Sequence, residues 1–314
     1  MIEWNETHLG IRDAMRRFIA AEVVPHLDEL EHGGKPPYDI LRKLIKTFGI
    51  ADMARTRFAR QIEKQKEREA GGEPAAPAKV PGPSPEAAME VAMRLIPTIE
   101  LCRYSPGMVT AMGVSVGLTS AAINSRGTIR QRERWALPLM TMETIGAWAI
   151  TEPGSGSDAF GGMRSSARRD GDGYLLNGNK TFITNGPYAD TIVFICKLDE
   201  PDVAAKDRKI VSFILDKGMP GLTQSKPLRK MGLHGSPTGE LFVGDLHAEA
   251  SACKLYAARA AMEVALEAVQ LHGGNGYMAE YRVEQLCRDA KVLQIYGGTD
   301  EIQISQIARS LLAQ

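Results

Sequence analysis

The residues with chemical potential in this chain lie in short runs that mix hydroxyls with glycine. Thr151-Glu152-Pro153-Gly154-Ser155-Gly156-Ser157-Asp158 is the richest, and a backbone turn bearing hydroxyls suits an anion. Gly273-Gly274 and Gly297-Gly298 are two further glycine pairs. Each would let the backbone approach a bound group closely, and each would equally serve to end a helix or form a turn. Other chemistries are disfavoured by spacing. Cys102, Cys196, Cys253 and Cys287 form no CxxC pair, which argues against a disulfide framework or a zinc site and for reduced thiols. The six histidines show no HExxH or other tight ligand spacing, so no metal site is expected.

These runs must be held by ordered elements, and the patterning names them. Ile11, Met15, Phe18, Ile19 and Val23 recur at helical spacing before Pro25. A second helix is predicted from Tyr38 to Phe48, with Gly49 as its stop. Residues 55–69 are dense in mixed charge and residues 71–85 are rich in Pro, Gly and Ala, which predicts a solvated helix end followed by a mobile surface loop. Helical pattern resumes near Glu86 and runs towards Trp135. The middle of the chain reads as mostly antiparallel β. Asn177-Gly178 predicts a hairpin between Tyr174–Leu176 and Lys180–Thr184; strands are expected at Thr191–Lys197, Lys209–Leu215 and Leu241–Val243. Helical character returns after His247, with helices predicted over Ala250–Leu271, Val283–Leu293 and Glu301–Leu312. The order helices, strands, helices predicts an α+β protein with a helical N-terminal domain (1–145, with 54–86 as an insertion), an antiparallel β-barrel-like middle domain (146–247) and a truncated helical C-terminal domain (248–314).

Composition narrows the partners. Lys plus Arg equals Asp plus Glu at 38 each, so no charge excess points to nucleic acid or an anionic membrane. Met1-Ile2-Glu3-Trp4 lacks the basic start of a signal peptide, and no segment is expected to reach the apolar length of a membrane span; a cytoplasmic location follows as the expectation.

Six motifs, in order, resemble those of the acyl-CoA dehydrogenase family. They are Trp148-Ala149-Ile150-Thr151-Glu152-Pro153-Gly154-Ser155-Gly156-Ser157-Asp158, Phe182-Ile183-Thr184-Asn185-Gly186, Lys230-Met231-Gly232 with Ser236, Leu271-His272-Gly273-Gly274-Asn275-Gly276-Tyr277, Arg288-Asp289-Ala290-Lys291, and Ile295-Tyr296-Gly297-Gly298-Thr299-Asp300-Glu301-Ile302. The run from Gly127-Thr128 through Gln131 to Trp135 also matches the end of the family's helical domain.

The resemblance implies FAD as cofactor, an acyl-CoA thioester as substrate, an electron-transferring flavoprotein as electron partner, and a homo- or hetero-oligomer. It implies that Thr151 and Thr184 hydrogen-bond the flavin ring, while Trp148 and Phe182 pack against it. Ser157 is implied near the CoA phosphates. Gln270, Gly273 and Gly274 are implied at the adenine or pyrophosphate end of FAD, with Thr299 and Glu301 also beside the cofactor. Tyr296 and Gly297 are implied at the substrate, where the Gly297 amide donates to the thioester oxygen.

The same resemblance exposes two departures. Many members carry a glutamate base directly after the tyrosine of the active-site turn, and here that place is Gly297. Other members keep the base on an earlier helix, and the helical hairpin that would carry it is missing between His247 and Glu249, as is any Arg-x-x-Phe-Gly motif. Glu301 and Glu152 are the acids weighed for the base; Glu301's place in a helix's first turn has a dipole explanation, and Glu152 stands where the family keeps a structural glutamate. Three functions follow: an acyl-CoA dehydrogenase impaired by loss of its base, a non-catalytic partner subunit of a heteromeric dehydrogenase, or a flavin-dependent oxidase.

Overall fold

The computed structural model describes residues 4–32, 34–71, 95–201, 203–204 and 207–249, with residues 270 and 278. The helices predicted after Ala250 and the stretch 72–94 lie outside these residues. Helix α1 (Glu6–Glu22) starts at a reciprocal capping box. The Asn5 side chain accepts the His8 N–H, and the His8 ring accepts the Asn5 N–H. Its stripe of Met15, Phe18 and Ile19 is buried, and Pro25 falls in the 3-10 turn after it. Helix α2 is Leu27–Glu31, and α3 is Tyr38–Thr47, which ends at Gly49 in left-handed backbone (φ 63°).

The charge-dense run is a complete helix, α4 (Ile50–Gly71), and not only a solvated end. Phe58 and Ile62 form a narrow apolar stripe on it, buried against the rest of the protein, while the charges face solvent. Residues 95–102 (α5) contribute the buried Glu100, which takes a bidentate pair from Arg16 at 2.9 and 3.0 Å. Helix α6 is Pro106–Arg126, and α7 spans residues 129–140. Contrary to the sequence reading, α6 is long and apolar enough to cross a membrane by length and composition. Its Met108, Ala111, Ser115, Thr119 and Ile123 are buried inside the fold, so small and apolar residues serve close packing here.

The β domain holds β1 (Gly146–Ala149), β2 (Ser166–Asp170), β3 (Gly173–Thr184), β4 (Thr191–Asp199), β5 (Ile210–Asp216), β6 (Leu222–Gln224) and β7 (Thr238–Glu249) in one sheet. Four of its pairings are antiparallel, but β1 and β2 both run parallel to β4, one after the other along the same edge. The chain between β1 and β4, which includes the β2–β3 hairpin, supplies the crossover that parallel strands need. One sheet face encloses a core with Leu176, Phe194, Phe213 and Leu246; the other packs Val193 and Ile195 against α4 and α7. Each such fully buried side chain contributes about 1.5–3 kcal/mol.

Two sequence readings are corrected. The hairpin turn lies at Gly171-Asp172, with Asp170 opposite Gly173 and Gly171 at φ 56°. Asn177-Gly178 instead lies inside the unbroken β3, opposite a bulge in β7 whose extra residue falls at Gly244-Asp245, with Asp245 at φ 46°. The Asn177 side-chain oxygen accepts the Asp245 backbone N–H, so Asn177 holds the bulged partner strand and does not turn the chain. A Cβ on Gly178 would stand 2.1 Å from Ser165 Oγ and 2.8 Å from its Cα. Gly178→Ala is therefore expected to destabilise by about 2–3 kcal/mol, read as a lower denaturant midpoint at unchanged m-value. The second correction is to the strand expected at Leu241–Val243, which is longer: β7 runs from Thr238 to Glu249.

Candidate functional site

The site grows from a change of parity in β3. From Tyr174 to Lys180 the even positions point inward, with Leu176 and Lys180 buried. A second register irregularity against β7 falls between Lys180 and Ile183. Beyond it the odd positions, Thr181, Ile183 and Asn185, are the buried ones. A bulge re-aims side chains in this way. Phe182 is thereby turned outward. It is 69% exposed, in left-handed backbone (φ 56°) that a bulky residue rarely adopts.

Lys180 is fully buried just before this point. Its ammonium donates to Glu152 Oε1 at 2.8 Å and to the Ile150 carbonyl at 3.0 Å, and it stands 5.2 Å from the centroid of the Phe194 ring. Glu152 also accepts the backbone N–H groups of Arg164 (2.6 Å) and Ser165 (2.9 Å). Burial works to raise the Glu152 pKa, but Lys180 and these donors overcome it and hold the carboxyl below its ordinary range. Between the two held residues, the Thr151 carbonyl accepts the Thr181 N–H at 2.9 Å. Among the described residues the hydroxyls of half-buried Thr151 and Thr184 have no partner.

Immediately after Thr184, Asn185 ties the two domains together. It is fully buried with φ 64°. Its amide nitrogen donates to the Ala111 carbonyl of α6 and the Gly146 carbonyl of β1, both at 2.9 Å. Its amide oxygen accepts the Tyr38 hydroxyl of α3 at 3.0 Å. Burial raises the Tyr38 pKa, so the phenol stays a donor. The Ser115 hydroxyl of α6 accepts the Gly146 N–H at 2.9 Å, so both backbone groups of the first β1 residue are held.

The segment that returns to β7 closes this region. Lys230 donates to the Leu233 carbonyl (2.9 Å), to Thr238 Oγ1 (3.0 Å) and to the Ser236 carbonyl. Gly235 lies so close to α6 that a Cβ on Gly107 would be 2.8 Å from it. The Pro237 carbonyl accepts the Asn185 N–H at 2.7 Å.

The sequence-predicted residues therefore divide. The Thr151–Thr181 backbone bond sets Thr151 beside the part of β3 that carries Phe182 and Thr184. Trp148 is half-buried and packs on the other sheet face, against the cluster that contains Leu139, Val193 and Ile195. Ser157 is in an exposed turn, and Gln270 is exposed and helical. Gly273, Gly274, Tyr296, Gly297, Thr299 and Glu301 lie outside the described residues. Sequence reasoning assigned no role to Lys180, Asn185 or Tyr38. Lys180 had one legible signal, a charge at an inward position of an alternating strand.

Comparison with known proteins completes the picture. The family model for the acyl-CoA dehydrogenase middle domain matches residues 147–246, and that for the C-terminal domain matches 233–312, together more than half of the chain. An acyl-CoA dehydrogenase of Bacillus subtilis is 29% identical, with 98% of each chain covered. The caffeyl-CoA reductase–Etf complex subunit CarC of Acetobacterium woodii is 27% identical over 98% of this chain and 99% of its own. The crystal structure of an acyl-CoA dehydrogenase from Geobacillus kaustophilus superposes with a TM-score of 0.62 at 26% identity, covering 98% of both chains. The alignment with the Bacillus protein runs over 403 positions against 314 residues here, so part of that relative has no counterpart in this chain. The motifs, the helical and β layers and these matches agree: the chain belongs to the acyl-CoA dehydrogenase family of FAD-dependent oxidoreductases.

Proposed function

We propose that this chain binds FAD against Thr151, Phe182 and Thr184 and dehydrogenates an acyl-CoA thioester between its α and β carbons, with electrons leaving to an electron-transferring flavoprotein. The observation that carries this reading is the surface around Phe182. An exposed aromatic held in strained backbone, beside two threonine hydroxyls with no partner among the described residues, suits a flat ring edged with hydrogen-bonding atoms. FAD, when bound, supplies the acceptor for the electron pair that leaves the β carbon. Thr151 and Thr184 would orient its ring by hydrogen bonds near O4, O2 or N5, and Phe182 would cover apolar ring surface and exclude water. Ser157 would meet the CoA phosphates.

By family resemblance, Gln270, Gly273, Gly274 and Thr299 would hold the remainder of the cofactor. Tyr296 and Gly297 would border the thioester, whose oxygen is stabilised by an N–H donor as the α carbon loses its proton. Gly297 leaves the family's base position without a carboxylate; Asp300 and Glu301 are the nearest acids to it in sequence, and Glu301 is the candidate for the base. The relative named as part of an Etf complex supports the electron partner.

Anaerobic mixing of the purified, FAD-loaded protein with acyl-CoAs of graded chain length tests the reaction. Slow bleaching of the flavin band by at least one of them is the expected result. No bleaching by any of them overturns dehydrogenation by this chain. The positions without counterpart, together with Gly297, favour one second reading, a partner subunit that works beside a complete dehydrogenase. A colourless protein that turns yellow only with a second gene product selects that reading; a yellow homo-oligomer selects the first. Either assembly fits a cytoplasmic protein.

A further inference from the structure

Resting on the proposed FAD site, we infer that Lys180 is the positioning residue of Thr151, whose buried ammonium grips the residues on both sides of it and so sets where the Thr151 hydroxyl stands. The ammonium has three uses and all are filled: the Ile150 carbonyl at 3.0 Å, Glu152 Oε1 at 2.8 Å and the face of Phe194. Two of the three fall on the immediate neighbours of Thr151. The next residue of β3, Thr181, takes the Thr151 carbonyl itself. Three consecutive residues of the loop are thus bound by two consecutive residues of β3, directly before outward-turned Phe182.

The charge pattern supports positioning over simple packing. A buried lysine is costly to desolvate, and an apolar residue of similar length would fill the same space without that cost. What an apolar residue cannot do here is bond a carbonyl and a carboxylate two residues apart. Meanwhile the Thr151 hydroxyl, in the centre of the held segment, is left without a partner among the described residues. Glu152 needs Lys180 less than Ile150 does: the carboxylate keeps the Arg164 and Ser165 N–H groups, whereas no other donor to the Ile150 carbonyl stands among the described bonds.

Lys180→Met and the double variant Lys180→Met/Glu152→Gln separate positioning from stability. In the FAD-free proteins, hydrogen exchange is expected to quicken in peptides spanning 148–156 while β4 and β5 stay protected. FAD titration is expected to give a dissociation constant raised at least tenfold in both variants, with a shifted flavin absorption band. The double variant, free of the stranded carboxylate, should recover thermal stability but not FAD affinity. Unchanged exchange in 148–156, or recovery of affinity along with stability in the double variant, overturns the role of Lys180. If the parent chain itself takes up no FAD, the functional reading fails and this role falls with it. A parent that binds FAD no more tightly than the variants sinks the Lys180 role alone.

Discussion

Asn185→Ala is expected to lower the stability of the protein by about 3–5 kcal/mol, because three buried groups lose their partner at once. The Ala111 and Gly146 carbonyls would each lose an N–H at 2.9 Å, and the Tyr38 hydroxyl would lose its acceptor at 3.0 Å. Each stranded buried group costs about 1–3 kcal/mol, reduced where a water can enter. Backbone adds to the loss, since φ 64° is tolerated by asparagine better than by alanine. Tyr38→Phe removes one donor, and the Asn185 oxygen it leaves behind is expected to cost only about 1 kcal/mol. Equilibrium denaturation of both variants and of the pair checks this. The double variant should lose less than the sum, because the two residues share a bond. Additive losses would show that Tyr38 and Asn185 do not act together. The consequence reaches the site, because Asn185 directly follows Thr184 and anchors the end of β3 to both α6 and β1.

Removal of the Lys180 ammonium is expected to be of similar size, about 3–5 kcal/mol for Lys180→Met, since it leaves a buried carboxylate without its counter-charge. The Lys180→Met/Glu152→Gln pair should cost less, as a neutral amide still accepts from Arg164 and Ser165. The same pair predicts a pH dependence with a definite sign. The folded-state pKa of Glu152 is lowered, while the unfolded chain has about 4.3, the ordinary glutamate value. Its contribution to stability is therefore fully present above that ordinary value and is lost as pH falls through the folded one. Lys180 stays protonated throughout this acid window, so its own titration adds no slope there. Urea unfolding between neutral pH and the acid limb should show parent stability falling more steeply than that of the double variant. Parallel curves would mean that Glu152 carries none of the acid sensitivity.

How much of this was legible beforehand differs by element. Helices α1 and α3 follow from apolar spacing, with Gly49 ending the second as local chemistry demands. The all-buried run of β4 was readable as a strand from its Ile, Val and Phe content. Asn177-Gly178 was misread because its turn preference is local, whereas its pairing with the bulged stretch of β7 at Gly244-Asp245 is made far along the chain. The parallel neighbours of β4 were invisible for the same reason: strand direction in a sheet is a property of pairs.

The candidate site divides in the same way. Motif order alone determined the family, and with it the expectation that Thr151, Phe182 and Thr184 act together, because short runs of fixed residue types encode local backbone shape. Only the tertiary structure decided that a bulge turns Phe182 outward, that Lys180 reaches back to grip the residues around Thr151, and that Asn185 links Tyr38, Ala111 and Gly146. Those bonds join residues 28 to 147 positions apart, and no local propensity specifies a contact that exists only after the helical and β layers have packed.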